Sequence, residues 1–216
     1  MKDDRDHPNC QHREYSMPRM SAAEKQKSHE RILDAAARLF RERGIEATSV
    51  AEVMQAAGLT HGGFYKHFPS KQVLVAEAFR HAAEGALSGA EAEAAPGGPA
   101  RAEARARYMA RYLSSEHMSD AGHGCPIAAL GADLARDEGA ARAEATQALE
   151  RMAAFLGPDA HSEDDSGLAL TALLVGTITL ARLADRPDLS ARILEAGKRA
   201  AAMLEKCAEE GAEQAG

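Results

Sequence analysis

A run of polar side chains between residues 60 and 71 could bind nucleic acid. Its hydroxyl, imidazole and ammonium groups suit phosphate oxygens and the edges of bases. They belong to Thr60, His61, Tyr65, Lys66, His67 and Lys71. Gly62 and Gly63 in the same run are poor helix formers that cost about 1 kcal/mol each. Close approach to a phosphate backbone or to base edges is a sufficient reason for that cost.

The elements around this run predict a helix-turn-helix. The preceding amphipathic helix has one apolar stripe, formed by Ile32, Ala35, Ala36, Leu39 and Phe40. A short helix begins at Ser49, which has capping-box spacing to Glu52, and ends at Gly58. A second begins at Thr60 and ends at Pro69. The second helix of such a pair lies in the major groove of DNA. The alternative is a small helical cluster whose Lys and His side chains are only solvated.

The stretch from Arg31 to Leu74 contains ILDAAARLFRERGIEATSVAEVMQAAGLTHGGFYKHFPSKQVL. It resembles the DNA-binding domain of the TetR family of bacterial repressors, and its GGFYKHFPSK segment is highly specific. By position, the resemblance implies DNA contacts by Thr48, Ser49, Thr60, His61, Gly63, Tyr65, Lys66, His67 and Lys71. Phe64 and Phe68 are expected to pack instead. The resemblance also implies a homodimer whose last two helices form a four-helix bundle with the partner. It further implies a ligand cavity in the C-terminal helical domain, coupled to the spacing between the two DNA-binding domains of the dimer.

Composition and charge fit a helical protein with two unlike parts. The 216 residues include 48 alanines and no tryptophan, which predicts an all-α fold. The patterns along the chain indicate about nine helices and no credible strand. The net charge of −7 is uneven. Residues 1–71 carry 12 Lys and Arg against 10 Asp and Glu, whereas residues 72–216 carry 14 against 23. This asymmetry permits DNA binding without demonstrating it.

Three segments follow from these patterns. We expect a disordered leader over 1–20, a helix-turn-helix DNA-binding domain over 21–71, and a helical ligand-binding and dimerisation domain over 72–216, with a linker at 94–100. The start of the chain has no apolar stretch typical of a secretory signal. The longest charge-free apolar run, from Ser166 to Arg182, is shorter than a membrane span needs. We therefore expect a cytoplasmic protein without a membrane partner.

Small residues in the last two predicted helices, near 167–184 and 188–208, support a homodimer. In the first helix they recur at near-heptad spacing, which allows close approach of helices. The two stripes are Ala169, Ala172, Gly176, Thr179 and Leu183, then Ile193, Leu194, Gly197, Ala201 and Leu204. The alternative is that such stripes form an internal core with no partner.

Cys125 is a second candidate for chemistry. It precedes Pro126 and is predicted to occupy the N-cap of a helix, where unpaired N–H groups and the helix dipole lower a thiol's pKa. Some TetR-family regulators that this sequence resembles have a Gly-Cys element here and respond to electrophiles or oxidants. The alternatives are an inert buried cysteine and a metal site, which would need His117, Asp120 and His123 to converge on Cys125. Cys10 and Cys207 are assigned no role, and three cysteines imply no disulfide framework.

A ligand cavity would be lined by apolar and aromatic side chains of the middle helices. The candidates are Tyr108, Met109, Tyr112, Cys125, Met152, Phe155 and Ile178. At helical spacing, such residues equally suit a plain core.

These observations favour a repressor controlled by a small-molecule or thiol-reactive effector, with double-stranded DNA as its partner. A helical enzyme using Cys125, such as a thiol transferase, is the second hypothesis. We find no His or carboxylate at motif spacing to act as its base, and no Gly-rich cofactor loop. We therefore expect no catalytic residue, cofactor or metal. An architectural DNA binder is the third hypothesis, but the acidic body is longer than such a module needs.

Overall fold

The computed structural model describes residues 21–94, 99–157 and 165–215. Within these ranges the chain is all helical, with no strand, as predicted. The helices are α1 (Ala22–Arg43), α2 (Val50–Ala56), a 3₁₀ helix (His61–Lys66), α3 (Lys71–Glu93), α4 (Pro99–Tyr112), α5 (Ser115–Ser119), α6 (Pro126–Leu134), α7 (Ala140–Leu156), α8 (Ser166–Leu183) and α9 (Pro187–Ala215). The predicted leader 1–20 lies outside the described residues, as does most of the predicted linker 94–100.

Local sequence signals set the ends of the first helices. The Ser49 hydroxyl accepts a hydrogen bond from the Glu52 N–H, and the Glu52 carboxylate accepts one from the Ser49 N–H. This is the predicted capping box. Gly44 ends α1 with φ of 86°, and Gly58 follows α2 with φ of 70°, a region in which glycine meets no steric penalty.

Two helix assignments differ from the sequence prediction. The predicted second helix of the pair is a 3₁₀ helix, and two successive glycines in it favour no regular α-helix. The sequence pattern over 101–117 is typical of a single helix, but the structure divides it into α4 and α5. Ser114 caps α5, because its hydroxyl accepts a hydrogen bond from the His117 N–H at 3.1 Å.

The first hydrophobic core joins the helix-turn-helix to the body. Phe40, Phe64, Phe68 and Phe79 are almost completely buried together, between α1, α2, the 3₁₀ helix and the first half of α3. Leu134 of α6 belongs to the same core. The helix-turn-helix is therefore packed directly against α6 through a shared core.

The second core lies deeper in the body and centres on α8. Leu170, Leu174 and Ile178 are buried among side chains of α4, α7 and α9. By length and mean hydropathy, 1.6 over 18 residues, α8 is the one described helix that would suit a membrane span. These contacts instead give it the environment of a core helix. Gly197 of α9 lies so close to Thr177 that any larger residue would overlap it.

Candidate nucleic-acid interface and ligand cleft

The 3₁₀ helix, hereafter the recognition segment, is anchored on one side and presented on the other. Phe64 and Phe68 are buried, as expected, and their rings stack with centroids 5.8 Å apart. Between them, Tyr65 is 73% exposed and Lys66 is also exposed. A large aromatic ring left in solvent beside a lysine is well placed for base and phosphate contacts.

No packing contact within this chain requires glycine at the two glycine positions of the recognition segment. A Cβ added at Gly62 would meet nothing within 4 Å. At Gly63 it would meet the Met54 Cε at 3.6 Å, an ordinary van der Waals distance. Thr60 and His61, at the start of the segment, are exposed. The backbone of this segment is thus open to a macromolecular partner.

The two residues before α2 differ in accessibility. Thr48 is completely buried, and its hydroxyl donates to the Gly44 carbonyl at 2.9 Å. Its side chain therefore cannot reach DNA in this conformation, contrary to the expectation from its position, because the hydroxyl is used to close the loop after α1. Ser49 is exposed, although its hydroxyl is engaged in the capping box.

The two remaining predicted contacts are partly buried. The Lys71 ammonium donates to the Ile45 carbonyl at 2.7 Å, which ties the start of α3 to the loop before α2. The His67 ring is partly buried and its Nδ1 has no hydrogen-bond partner. Burial lowers the pKa of His67, and the charges of His29, Lys25 and Lys66 lower it further. Positive groups of α1 and of the recognition segment therefore lie near enough to His67 to oppose its protonation.

Lys25 is a candidate that the sequence reasoning missed. It is exposed in the first turns of α1, and its charge acts on His67 together with that of Lys66. The available signal was the pair of lysines at positions 25 and 27, near the start of a helix that packs behind the recognition segment. Their proximity to His67 requires the tertiary fold and is not visible from spacing.

A cleft of about 380 Å³ opens between α3, α4 and the segment 114–125. Of the predicted ligand residues, Tyr108, Tyr112 and Cys125 line it. The other four lie in the second core and do not line this cleft: Met109, Met152, Phe155 and Ile178. Residue type alone could not separate them, because aromatic and Met side chains suit either environment.

Cys125 occupies the N-cap of α6, as predicted, and only 5% of it is exposed. Its N–H donates to Nε2 of His117 at 2.9 Å, and the other ring nitrogen of His117 donates to the Tyr112 carbonyl at 2.6 Å. Both hydrogen bonds need a neutral ring, and burial correspondingly lowers the pKa of His117. The imidazole is therefore a structural bridge rather than a free base for the thiol.

Two polar groups near Cys125 are incompletely satisfied. The Tyr112 hydroxyl is buried and makes no hydrogen bond to oxygen or nitrogen; the Cys125 thiol, a weak acceptor, lies beside it. Burial, followed by the influence of Cys125, raises the pKa of Tyr112 well above its usual value. Arg182 donates to the carbonyls of Met118 and His117, but its Nη1 is buried without a partner. Burial lowers the pKa of Arg182.

The glycine before Cys125 is dictated by this crowding. A Cβ at Gly124 would lie 2.7 Å from Nη2 of Arg182 and 2.8 Å from Nε2 of His117. In the described residues, no three His, Cys, Asp or Glu side chains lie close enough together to hold a metal ion. His123 instead pairs with Asp120 at 3.0 Å on the exposed rim.

Comparison with known proteins places the chain in a family. The family described as bacterial regulatory proteins, tetR family, matches residues 32–78. The HTH-type transcriptional regulator AcrR of Shigella flexneri is 43% identical over 61 residues, 28% of each chain. An HTH-type transcriptional regulator of Mycobacterium tuberculosis, itself uncharacterized, is 31% identical over 177 residues, 74% of this chain and 86% of that protein. The chain belongs to the TetR family.

Solved structures extend the likeness of this TetR-family protein to the whole fold. A transcriptional regulator from Streptomyces coelicolor A3(2) matches with a TM-score of 0.57 at 28% identity, covering 80% of this chain and 97% of that one. A TetR-family regulator from Cytophaga hutchinsonii matches with a TM-score of 0.66 at 18% identity, covering 84% and 96%. The match to AcrR, by contrast, spans only about a quarter of each protein.

In the TetR-family protein, the turn before Cys125 is fastened to the DNA-reading part. Arg41, in the last turn of α1, donates from Nε to the Gly122 carbonyl at 2.7 Å and from Nη2 to the same oxygen. Gly122 itself packs against Arg38 and Glu42, where a Cβ would lie 2.6 Å from Oε1 of Glu42. The cleft and the end of α1 are therefore linked by one short turn.

Proposed function

We propose that this chain is a cytoplasmic transcriptional repressor that binds an operator as a homodimer and is released by a small-molecule effector. The observation that carries the DNA-binding role is the recognition segment, with Phe64 and Phe68 buried while Tyr65 and Lys66 face solvent. The relatives named above are transcriptional regulators. We propose no catalytic role.

An exposed face of α8 supports dimerisation. Four residues of the predicted stripe are exposed on it: Ala169, Ala172, Thr179 and Leu183. The predicted stripe on α9 does not face outward, because Leu194, Gly197 and Ala201 are buried against the chain's own second core. Met203 is a large apolar residue exposed on α9. A second copy covering α8 and the outer face of α9 would bury this apolar surface.

The cleft supports effector control through the turn at 120–124. A ligand between α3, α4 and this turn would shift the Gly122 carbonyl that Arg41 holds. Since α1 packs beneath the recognition segment, this shift would change the separation of the two DNA-reading heads. The effector must bind the released conformation more tightly than the DNA-bound one, because equal affinity for both shifts nothing.

A thiol-reactive effector acting on Cys125 is a specific form of this proposal. The thiol lies at the N-terminus of α6 with no side-chain cap, and Arg41 and Arg182 lie within electrostatic reach of it. Helix N-termini and nearby cations are the surroundings in which reactive cysteines are found. A maleimide would add to Sγ across its carbon–carbon double bond: the carbon–sulfur bond forms at one alkene carbon, the π bond breaks, and the other alkene carbon takes up a proton that replaces the one lost by the thiol.

Fluorescence anisotropy tests the main proposal. The purified chain would be titrated onto DNA from upstream of its own gene and onto an unrelated duplex, at two salt concentrations. We expect selective binding at two protomers per pair of half-sites. Equal, weak binding to both duplexes would contradict an operator in this region.

A further inference from the structure

We infer that the cleft binds a small flat organic acid, with its carboxylate at the Tyr112 end and its ring against α3. This inference rests on the effector-controlled repressor proposed above and names the chemical class of that effector. It depends on two independent features of the cleft, one at its buried end and one along its wall.

The buried end of the cleft presents a hydrogen-bond donor that lacks an oxygen or nitrogen acceptor. Tyr112 is 4% exposed, lines the cleft and has no such acceptor for its hydroxyl. Burial keeps this phenol protonated, so it can donate. Arg182 does not line the cleft, but it donates to the His117 carbonyl directly behind the lining, and its positive charge acts on the Tyr112 hydroxyl. A buried donor without an acceptor is costly, and a carboxylate would accept from the phenol while being attracted by this positive charge.

The wall of the cleft is flattened by two glycines one helical turn apart. Gly85 and Gly89 lie inside α3, and both line the cleft. A Cβ at either position would meet nothing within 4 Å, so no neighbour in this chain excludes alanine. Each glycine nevertheless lowers helix stability relative to alanine. Bare backbone on this face leaves room for a flat ring, with the Tyr108 and Tyr112 side chains also lining the cleft.

The acidic residues of the cleft stand at its mouth. Glu116 and Asp120 are both exposed, and Asp120 is already paired with His123 at 3.0 Å. Arg111, also exposed, lies over the Tyr108 ring with its guanidinium carbon 5.7 Å from the ring centroid. A ligand that enters with its own carboxylate first therefore leaves the Glu116 and Asp120 side chains in water. Its carboxylate then reaches the Tyr112 hydroxyl inside the cleft.

Isothermal titration of the full chain with sodium 2-naphthoate tests this inference. The neutral 2-naphthamide and the non-planar decalin-2-carboxylate serve as matched ligands. We expect naphthoate to bind reversibly, and each of the other two to bind at least about tenfold more weakly. No binding of naphthoate at millimolar concentration, or equal binding of the amide, would overturn the inference.

Three variants separate the cleft from general effects on the fold. Tyr112→Phe and Gly89→Ala should each weaken naphthoate binding by about tenfold or more. Gly89→Ala should do so without lowering Tm, because alanine is the better helix former. Gly131→Ala is the control, since it is a helical glycine with equally open surroundings that does not line the cleft. Unchanged affinity in Gly89→Ala would refute the flat wall.

Operator binding by the same preparation distinguishes the two proposals. If the chain binds its operator selectively but naphthoate neither binds nor releases it, the organic-acid inference is wrong and the repressor stands. If naphthoate binds the cleft but no operator is found, the repressor proposal fails on its own measurement.

Discussion

At the scale of single residues, different side chains hold the recognition segment in the core and present its surface to solvent. Phe64 and Phe68 hold the segment down, and the side chains between them face solvent. A substitution at Tyr65 or Lys66 therefore leaves the core untouched, which makes these positions suitable for testing DNA contact without loss of fold.

Lys66→Ala should weaken operator binding and reduce the slope of log affinity against log salt by about 1, because one phosphate contact and its released counterion are lost. Anisotropy titrations at several salt concentrations measure both. Lys198→Ala removes the same charge on α9, where the ammonium pairs with Glu195 at 2.7 Å, and should leave the slope unchanged. An unchanged slope in Lys66→Ala would remove this residue from the interface.

Cys125→Ser should abolish release of the operator by N-ethylmaleimide if the thiol is the reactive group. The control is a variant with Cys10 and Cys207 replaced by serine, which keeps Cys125 as its one thiol and should still be released. Anisotropy of preformed complexes measures the release. Equal release of the Cys125→Ser protein would show that the thiol is not the sensor and would leave a non-covalent effector.

His117 gives the stability of the cleft a defined pH dependence. Burial lowers its pKa, so below about pH 6.5 the unfolded chain takes up the proton first. The stabilising contribution of neutral His117 is therefore present above that pH and lost as pH falls towards its lowered pKa. Urea unfolding between pH 7.5 and 5 should show a steeper loss for wild type than for His117→Gln. Parallel curves for the two proteins would mean that His117 does not titrate in this range.

At the scale of helices, capping residues predicted helix boundaries well, whereas a break inside a stretch with a continuous helical pattern was predicted poorly. The Ser49–Glu52 box and Pro126 each begin a helix where the sequence indicates. The break at Ser114 was missed because serine is also tolerated within a helix, and only the hydrogen bond to His117 reveals the cap.

Which face of a helix is buried was harder to predict than where the helix begins and ends. Small residues stripe α8 and α9 alike, yet the α8 stripe is largely exposed and Gly197 of α9 packs on Thr177. The same limit applies to the cleft, where Tyr112 and Met109 are near neighbours on α4 but only the tyrosine lines it. Such differences depend on which helices meet, and spacing within one helix does not encode that.

Arg41→Ala should destabilise the chain by about 1.5–3 kcal/mol, since a charged, partly buried donor to the Gly122 carbonyl is lost. Backbone amides of the turn 120–124 should then exchange faster with deuterium. Arg43→Ala is the matched control, because Arg43 is exposed in the same helical turn and pairs with Glu52 at 3.3 Å, and such exposed pairs contribute about 1 kcal/mol or less. Equal losses in the two variants would contradict a specific link between α1 and the turn.

At the scale of the whole molecule, the acidic C-terminal domain and the N-terminal helix-turn-helix suit different partners. Positive groups lie around His67, while most of the negative charge lies beyond residue 71. On the proposed function, this arrangement would turn the helix-turn-helix towards DNA and keep the acidic domain away from it. Two heads held by one dimer interface would then read two half-sites at a fixed spacing.

Leu183→Glu should weaken the proposed dimer by about thirtyfold or more, because it places a charge in the apolar face that a second copy would cover. Leu183 is 77% exposed in the single chain, so the substitution should not harm the monomer's fold. Sedimentation equilibrium would measure the dimer dissociation constant. Leu149→Glu, on α7 and also exposed, is the control and should leave the dimer intact. Leu183→Glu should also lose selective operator binding, since a monomer engages only one half-site. If Leu183→Glu remains dimeric at the same concentrations as Leu149→Glu, the interface lies on another face of the molecule.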